Sequence, residues 1–421
     1  MGSYVERYWV SDASGMNKTE RLGGAYYPYV PDTISDFELL MEPACATAVA
    51  RAQEVLNVLE GSGSLTDTEP LARLLLRAEA VSSSRIEGLE LPAGKLLEYE
   101  ELDRLGVEHR LDSTEAQVLG NLHALVGGLE KVQAGYEFAV DGICELNRTL
   151  LEGTRLSDVG GMIRETQNWI GGNRVNPVGA AYVPPEPKLV PGLMEDLVAF
   201  LNETELPAVA AAAIAHAQLE TIHPFSDGNG RTGRALAHMI LKTRGLARAT
   251  VPPVSLVLAT DRDRYIANLS AYRTDGTEGR NEVVNGWVEY FANATLLSCE
   301  RAIGFERTIA DIKDGWIGRT GFRAGSAGRL LLDVLPGTPA ISIKTAQALT
   351  KRSYPAARSA VLALVDAGIL HQNSKNRKSG IYVAREVIDA FNAYERALAT
   401  VSGDTTAEKP RRHVPQRMRK S

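Results

Sequence analysis

Residues 221–240 read TIHPFSDGNGRTGRALAHMI, and the rest of the chain is organised around this stretch. An alanine-rich apolar helix over about 207–222 arrives at Ile222. Pro224 cannot continue it, because the pyrrolidine ring blocks helical backbone and removes an N–H. Gly228, Gly230 and Gly233 permit positive φ and close backbone approach. A second helix then starts near Arg231 and runs to about Thr243. A glycine-rich turn feeding a helix N-terminus offers unpaired N–H groups and the positive end of a helix dipole, which together seat an anion. Arg231 and Arg234 add two permanent cations suited to phosphate oxygens. Asp227 is a hard oxygen donor of the kind that holds Mg2+ beside phosphates. His223, at the mouth of the loop, titrates near neutral pH and can take a proton from an attacking hydroxyl. Base, metal ligand, backbone cradle and two cations are the parts of phosphoryl or nucleotidyl transfer. The loop is not a Walker A motif, since no Lys-Ser/Thr pair follows the glycines.

Outward from this loop the pattern is mostly helical. Helical periodicity covers about 36–60, 69–87, 113–133, 139–152 and 190–203, and further helical segments fill 261–313. Residues 158–187 differ: glycines alternate with Trp169, Val175 and Tyr182 before Pro184-Pro185, which predicts a loop plus a β-hairpin. His216 on the alanine-rich helix reads as a satisfied core histidine. Residues 1–36 read as an irregular aromatic arm, with Tyr26, Tyr27 and Tyr29 set among Gly and Pro, laid over another surface.

The chain has 421 residues, 44% hydrophobic and 23% charged, which suits two to four globular domains. Its net charge of -6 excludes a polybasic nucleic-acid binder as a whole, so any basic partner surface is local. The three cysteines, Cys45, Cys144 and Cys299, lack metal-ligand spacing and read as reduced buried thiols. With no cationic-then-apolar leader and no run of about 18–20 apolar residues, the expectation is a cytoplasmic protein without a membrane partner.

The segment HPFSDGNGRTGR, residues 223–234, resembles the signature HPFxDGNGRxxR of Fic-domain proteins at every fixed position. The resemblance covers about residues 20–310. It implies a mainly α fold, a Fic-type helical core with a β-hairpin flap. It also implies transfer of AMP from ATP to a Ser, Thr or Tyr hydroxyl of a protein, possessed of Mg2+ as cofactor and releasing pyrophosphate. By position, His223 is then the general base and Asp227 the metal ligand. The ATP-binding residues are Gly228, Asn229, Gly230, Arg231, Thr232, Gly233 and Arg234, with the backbone of the first three cradling phosphates and the arginines neutralising them. Phe225 anchors the loop. Tyr265, with Arg262, falls where the family lines the adenine and ribose pocket. Gly230 stands where a kinase branch of the family carries Lys. The stretch VGGMIRETQNWIGG resembles the family's flap region, where Arg164 keeps its place while Val159, Met162 and Ile163 depart from the usual residues.

Residues 82–88 read SSSRIEG and resemble the family's inhibitory motif [S/T]xxxE[G/N], through Ser83, Glu87 and Gly88. That resemblance implies autoinhibition in cis, with Glu87 taking Arg234 away from the γ-phosphate, in the class with an N-terminal inhibitory helix.

After a linker at 314–325, residues 326–400 carry a helix-turn-helix pattern and a short basic hairpin that resemble a winged helix, an α+β domain. Lys351, Arg352, Arg358, Lys375, Arg377 and Lys378 make it locally basic, so DNA is a candidate partner. The expected divisions are 1–112, an N-terminal arm and helical region with the inhibitory helix; 113–313, the catalytic core; 326–400, the winged-helix-like domain; and 401–421, a disordered basic tail. Partners are ATP, a hydroxyl-bearing protein target that includes the chain itself, and a second copy in a homodimer. The competing readings are a transcriptional regulator whose core has become a sensor, removal of AMP from modified targets, and transfer of another nucleotide such as UMP.

Overall fold

A computed structural model describes residues 2–11, 15–61, 68–107, 110–275, 279–372, 380–399 and 409. The N-terminal part holds β1 (Gly2–Tyr4), β2 (Arg7–Trp9), α1 (Lys18–Arg21), β3 (Gly24–Tyr26) and β4 (Tyr29–Pro31). Helices α2 (Pro43–Gly61), α3 (Thr68–Ile86), α4 (Ala93–Arg104), α5 (Thr114–Lys131) and α6 (Val140–Leu151) follow. The central set is α7 (Val190–Glu203), α8 (Ala208–Ile222), α9 (Asn229–Thr243), α10 (Val254–Leu258), α11 (Arg262–Tyr272) and α12 (Arg280–Arg319). The chain closes with α13 (Ala327–Val334), β5 (Ala340–Ile341), α14 (Ile343–Thr350), α15 (Tyr354–Asp366), β6 (His371–Gln372), β7 (Tyr382–Val383) and α16 (Arg385–Ala397).

The fold is mainly helical and centres on α8, every residue of which is buried. Its alanines let neighbouring helices approach closely, and close packing is what gives an interior its cohesion. Helices α7, α9 and α12 pack on it. Trp287 of α12 is 2% exposed and donates from Nε1 to Ala213 O at 2.7 Å, so its one polar atom is satisfied inside the core.

The structure corrects several sequence expectations. The first long helix starts at Pro43 rather than near residue 36, with proline suited to a first helical turn. The linker expected at 314–325 begins instead as helix: α12 runs on to Arg319 because Trp316 is fully buried and holds it to the core. Helix α4 was not legible, because its inward positions include Glu100 and Glu101, which break the apolar period. Both acids have partners: Glu100 pairs with Arg77 at 2.5 Å, and Glu101 accepts from Ser342 N at 2.8 Å and from the Thr345 hydroxyl. The expected β-hairpin at 158–187 is a loop closed by a single bridge, Ile170 to Tyr182. Prolines 177, 184 and 185 lack donors for a ladder, and Asn173 and Asn176 side chains hold the loop instead.

The N-terminal arm is more ordered than expected. It forms antiparallel pairs β1–β4 and β2–β3 and lies against this flap loop. Tyr29 N donates to Val183 O at 2.9 Å, Asn176 Nδ2 to Glu20 O at 2.9 Å, and Trp9 meets Trp169 edge-on at 5.9 Å.

At the other end, α13–α16 surround a three-stranded antiparallel sheet of order β5-β7-β6. This part packs directly on α3, α4 and α12. Lys375, Arg377, Lys378 and, apart from residue 409, the 401–421 tail lie outside the described residues. Cys45, Cys144 and Cys299 are free and buried, as expected. Among the described residues no helix is long and apolar enough to cross a membrane.

Candidate active site

Local backbone devices build the loop between α8 and α9. His223 sits in the left-handed region at φ 50° and ψ 58°, and its N–H donates to Leu219 O at 2.8 Å, capping α8. A non-glycine residue there costs about 1–2 kcal/mol, so the surroundings must hold it. Arg164 does so. Its Nε donates to His223 O at 2.9 Å, its Nη2 to Pro185 O at 2.5 Å, and its N–H to Pro224 O at 2.9 Å. Asn229 staples the turn shut, accepting from Phe225 N and donating to Phe225 O, both at 2.9 Å. The Phe225 ring is fully buried and anchors the loop in the core. Gly228 supplies the φ of 77° that lets α9 start at Asn229, earlier than expected. Asn147 of α6 secures that corner from below, donating to Asp227 O at 2.9 Å and to Thr232 Oγ1 at 3.3 Å. The first N–H groups of α9 are thereby aimed into the loop without intrahelical acceptors.

Around this cradle the predicted charges assemble. Arg231 is buried; its Nη2 reaches Asp227 Oδ2 at 3.4 Å, while Nε and Nη1 are buried with no hydrogen-bond partner among the described residues. Buried cationic donors left unpaired are the chemistry of an anion seat. Asp227 is half-exposed and accepts from Gly228 N at 2.7 Å. Among the described residues there is no group of three or more His, Cys, Asp or Glu that could hold a metal alone. A lone, accessible carboxylate does fit Mg2+ whose other ligands are phosphate and water, since Mg2+ keeps several waters and takes few protein ligands.

Arg234 is fully engaged. Nε donates to Ser83 Oγ at 2.9 Å, and Nη2 donates to Ser83 O at 2.9 Å and to Glu87 Oε1 at 2.7 Å. Nη1 lies 3.5 Å from the Tyr265 hydroxyl and 3.8 Å from Glu220 Oε1. Burial alone would lower its pKa, but Glu87, Tyr265 and Glu220 outweigh that and hold it charged. Burial likewise pushes the Glu87 carboxyl up, and the charge and hydrogen bond of Arg234 bring it net below its ordinary value. Gly88, at φ 84°, turns the chain just after Glu87. Gly230 lies in the throat between these groups: a Cβ there would come within 2.2 Å of Glu87 Oε1, 2.7 Å of Glu220 Oε1 and 2.9 Å of Arg234 Nη1.

His223 presents Nδ1 to Glu220, 3.3 Å from its backbone O and 3.7 Å from its Oε2. Burial pushes its pKa down to about 4, and the Arg273 and Arg164 charges add to the effect. The imidazole is therefore neutral at pH 7, the form a general base needs. His216 is the core histidine expected, with Nε2 2.9 Å from the Tyr265 hydroxyl and its pKa pushed down to about 3 by burial and nearby arginines. Tyr265 is itself buried, 2% exposed, and supports Arg234 from behind. Arg262 donates from Nε to Ile86 O at 2.6 Å and so fixes the end of α3.

The structure thus gathers Ser83, Glu87, His223, Asp227, Arg231 and Arg234 into one cleft. The motif does not announce Glu220, Arg273 or Asn147. Glu220 offered only its spacing, three residues before His223 at the end of α8, which does not by itself mark a partner. Arg273, stacked 3.8 Å over Tyr182 and donating to Glu220 O at 3.1 Å, had no signal.

Fold and site together define a helical protein with an anion cradle at a helix N-terminus, faced by a neutral histidine. Residues 137–241 match the Fic/DOC family, and residues 46–130 match the Fic/DOC family N-terminal region. The chain therefore carries a Fic/DOC domain preceded by that family's N-terminal region. It is similar to protein adenylyltransferase fic-1 of Caenorhabditis elegans, at 29% identity over 53% of this chain and 37% of that protein. A probable protein adenylyltransferase of Aquifex aeolicus is 40% identical over 22% of this chain and 26% of its own length. The chain thus spans about a third or less of these curated relatives. In fold it is similar to a Fic family protein from Desulfovibrio desulfuricans, with a TM-score of 0.50 at 20% identity, covering 85% of this chain and 98% of that one.

Proposed function

We propose that the protein is an adenylyltransferase that moves AMP from ATP to a hydroxyl side chain of a protein. The observation that carries this reading is that His223 stands at the mouth of an anion seat in which two donors of Arg231 are buried and unpaired. The names of the similar Caenorhabditis and Aquifex proteins support it. The triphosphate lies across the first turn of α9, against the backbone of Gly228, Asn229 and Gly230, with Arg231 and Arg234 on its outer phosphates. His223 takes the proton of the target hydroxyl. The hydroxyl oxygen bonds to the α-phosphorus as the bond to pyrophosphate breaks, and pyrophosphate leaves with the electron pair. A magnesium ion, held by Asp227, would supply charge neutralisation on the phosphates.

The resting site is restrained. Arg234 spends its hydrogen bonds on Ser83 and Glu87, so a γ-phosphate cannot take the same cation in the pose that in-line attack requires. Replacing Glu87 by Gly frees one donor of Nη2, the other staying on Ser83 O. With ATP labelled on the α-phosphate, Glu87→Gly is expected to label itself at least tenfold faster than wild type. Label on the γ-phosphate should not be retained, and Glu87→Gly/His223→Ala should take up neither. Retention of γ-label would make the reaction a phosphoryl transfer and overturn the reading.

A further inference from the structure

Glu220 is a buried acid that the reaction above does not use. It faces the cleft from α8, three residues before His223, with one oxygen 3.8 Å from Arg234 Nη1 and the other 3.7 Å from His223 Nδ1. These are ion-pair separations, longer than hydrogen bonds. Glu87 reaches the same guanidinium from α3 at 2.7 Å. The hypothetical Cβ of Gly230 meets both Oε1 atoms, so the two carboxylates converge on one point.

We infer that Glu220 is a positioning residue for His223, and that Glu87, while it holds Arg234, disfavours the charged, histidine-orienting form of Glu220. This rests on the reading of His223 as the base. Two carboxylates sharing one buried cation do not both ionise freely. Glu87, with the shorter contact, holds the charge in the resting state. Burial and the Glu87 charge push the Glu220 carboxyl up to about 7, while Arg234 and Arg273 pull it down. Without Glu87, one of the two upward influences is gone and both cations remain. The other groups facing the pair are Arg231 from α9, Tyr265 from α11 and, toward His223, Arg164 from the flap loop.

The chemical consequence follows from the ring. With Nδ1 turned to Glu220, the opposite nitrogen, Nε2, is the one that accepts the hydroxyl proton. The imidazolium formed then carries its Nδ1–H against an ionised Glu220, which stabilises it without itself taking the proton. Glu87 thus restrains the site twice. It occupies Arg234, and it disfavours the charged form of the base's partner Glu220.

The test is a cycle of full-length variants: wild type, Glu220→Gln, Glu87→Gly and Glu87→Gly/Glu220→Gln. The titration of His223, one of seven histidines, is followed by NMR without nucleotide and assigned by loss of its signal in His223→Ala. In the Glu87→Gly background, Glu220→Gln is expected to lower the proton affinity of His223 by about tenfold, one pKa unit. In the wild-type background the same substitution is expected to change it less than twofold. No shift in the Glu87→Gly background, or equal shifts in both, would overturn the inference. A kinetic arm reads the same coupling. Glu87→Gly/Glu220→Gln should lose about tenfold or more in kcat with little change in the KM for ATP, and the acid limb of its pH profile should move to lower pH. Glu220→Asp should recover part of kcat, which a purely structural role would not require. If Glu87→Gly incorporates no AMP, the proposed activity falls, while the NMR cycle still decides the role of Glu220.

Discussion

Arg234 is the point on which the side chains of the site converge. Ser83, Glu87, Tyr265 and Glu220 all address one guanidinium, and none of the four lies in the loop that carries the motif. The motif residues themselves were legible because their chemistry is local: a proline stop, glycines at a helix start, and a base, an acid and two cations within twelve positions. Glu220 and Arg273 were not, because their roles depend on which helices meet. Two predictions belong at this scale. Asn229→Ala removes both side-chain hydrogen bonds that close the loop and should cost about 1–3 kcal/mol in urea unfolding, with loss of nucleotide-dependent modification. The buried His216 and the part-buried His223 set a pH dependence. His216 and His223 have folded-state pKa values of about 3 and about 4, below the ordinary 6.5. Their neutral forms therefore contribute stability that is full above about pH 6.5 and is lost as pH falls toward 4. The urea midpoint should fall between pH 6.5 and 4.5, and less so in His223→Gln.

Helix α3 brings Ser83 and Glu87 to Arg234, and it is fastened along its length. Glu79 accepts from Ser255 N at 2.8 Å and from the Ser255 hydroxyl, and lies 3.1 Å from His238 Nε2 on α9. Arg85 pairs with the fully buried Glu395 of α16 at 3.1 Å. Arg262 holds Ile86 O. Glu87 follows directly on the end of α3, so loosening that end should release Glu87 without touching the loop. Arg262→Ala is expected to raise self-labelling from ATP several-fold above wild type, with an unfolding midpoint close to wild type. Unchanged labelling would mean that Ile86 O is not a fastening point. Helix α3 was legible from its apolar spacing and its SSSRIEG end. Helix α4 was hidden because two of its buried positions, Glu100 and Glu101, are acidic, and the flap lost its expected ladder because side-chain amides replaced strand pairing.

At the scale of the whole molecule, the C-terminal helices are not a tethered appendage. Glu101 of α4 holds Ser342 and Thr345, Arg77 of α3 donates to Gly337 O at 3.2 Å, and Thr260 donates to Leu398 O at 2.6 Å. A linker was expected because glycines cluster near residues 315–325, but Trp316 buries itself and carries the helix through. Glu101→Ala should therefore cost about 1–3 kcal/mol, with faster hydrogen exchange confined to α4, β5 and α14. On the proposed function, Glu87 decides through Arg234 whether the His223 site transfers AMP. Intact mass of wild type, Glu87→Gly and Glu87→Gly/His223→Ala after incubation with ATP and Mg2+ tests it most directly. One or more added AMP units are expected on Glu87→Gly alone. Equal AMP addition to wild type and Glu87→Gly, or addition that survives loss of His223, would contradict it.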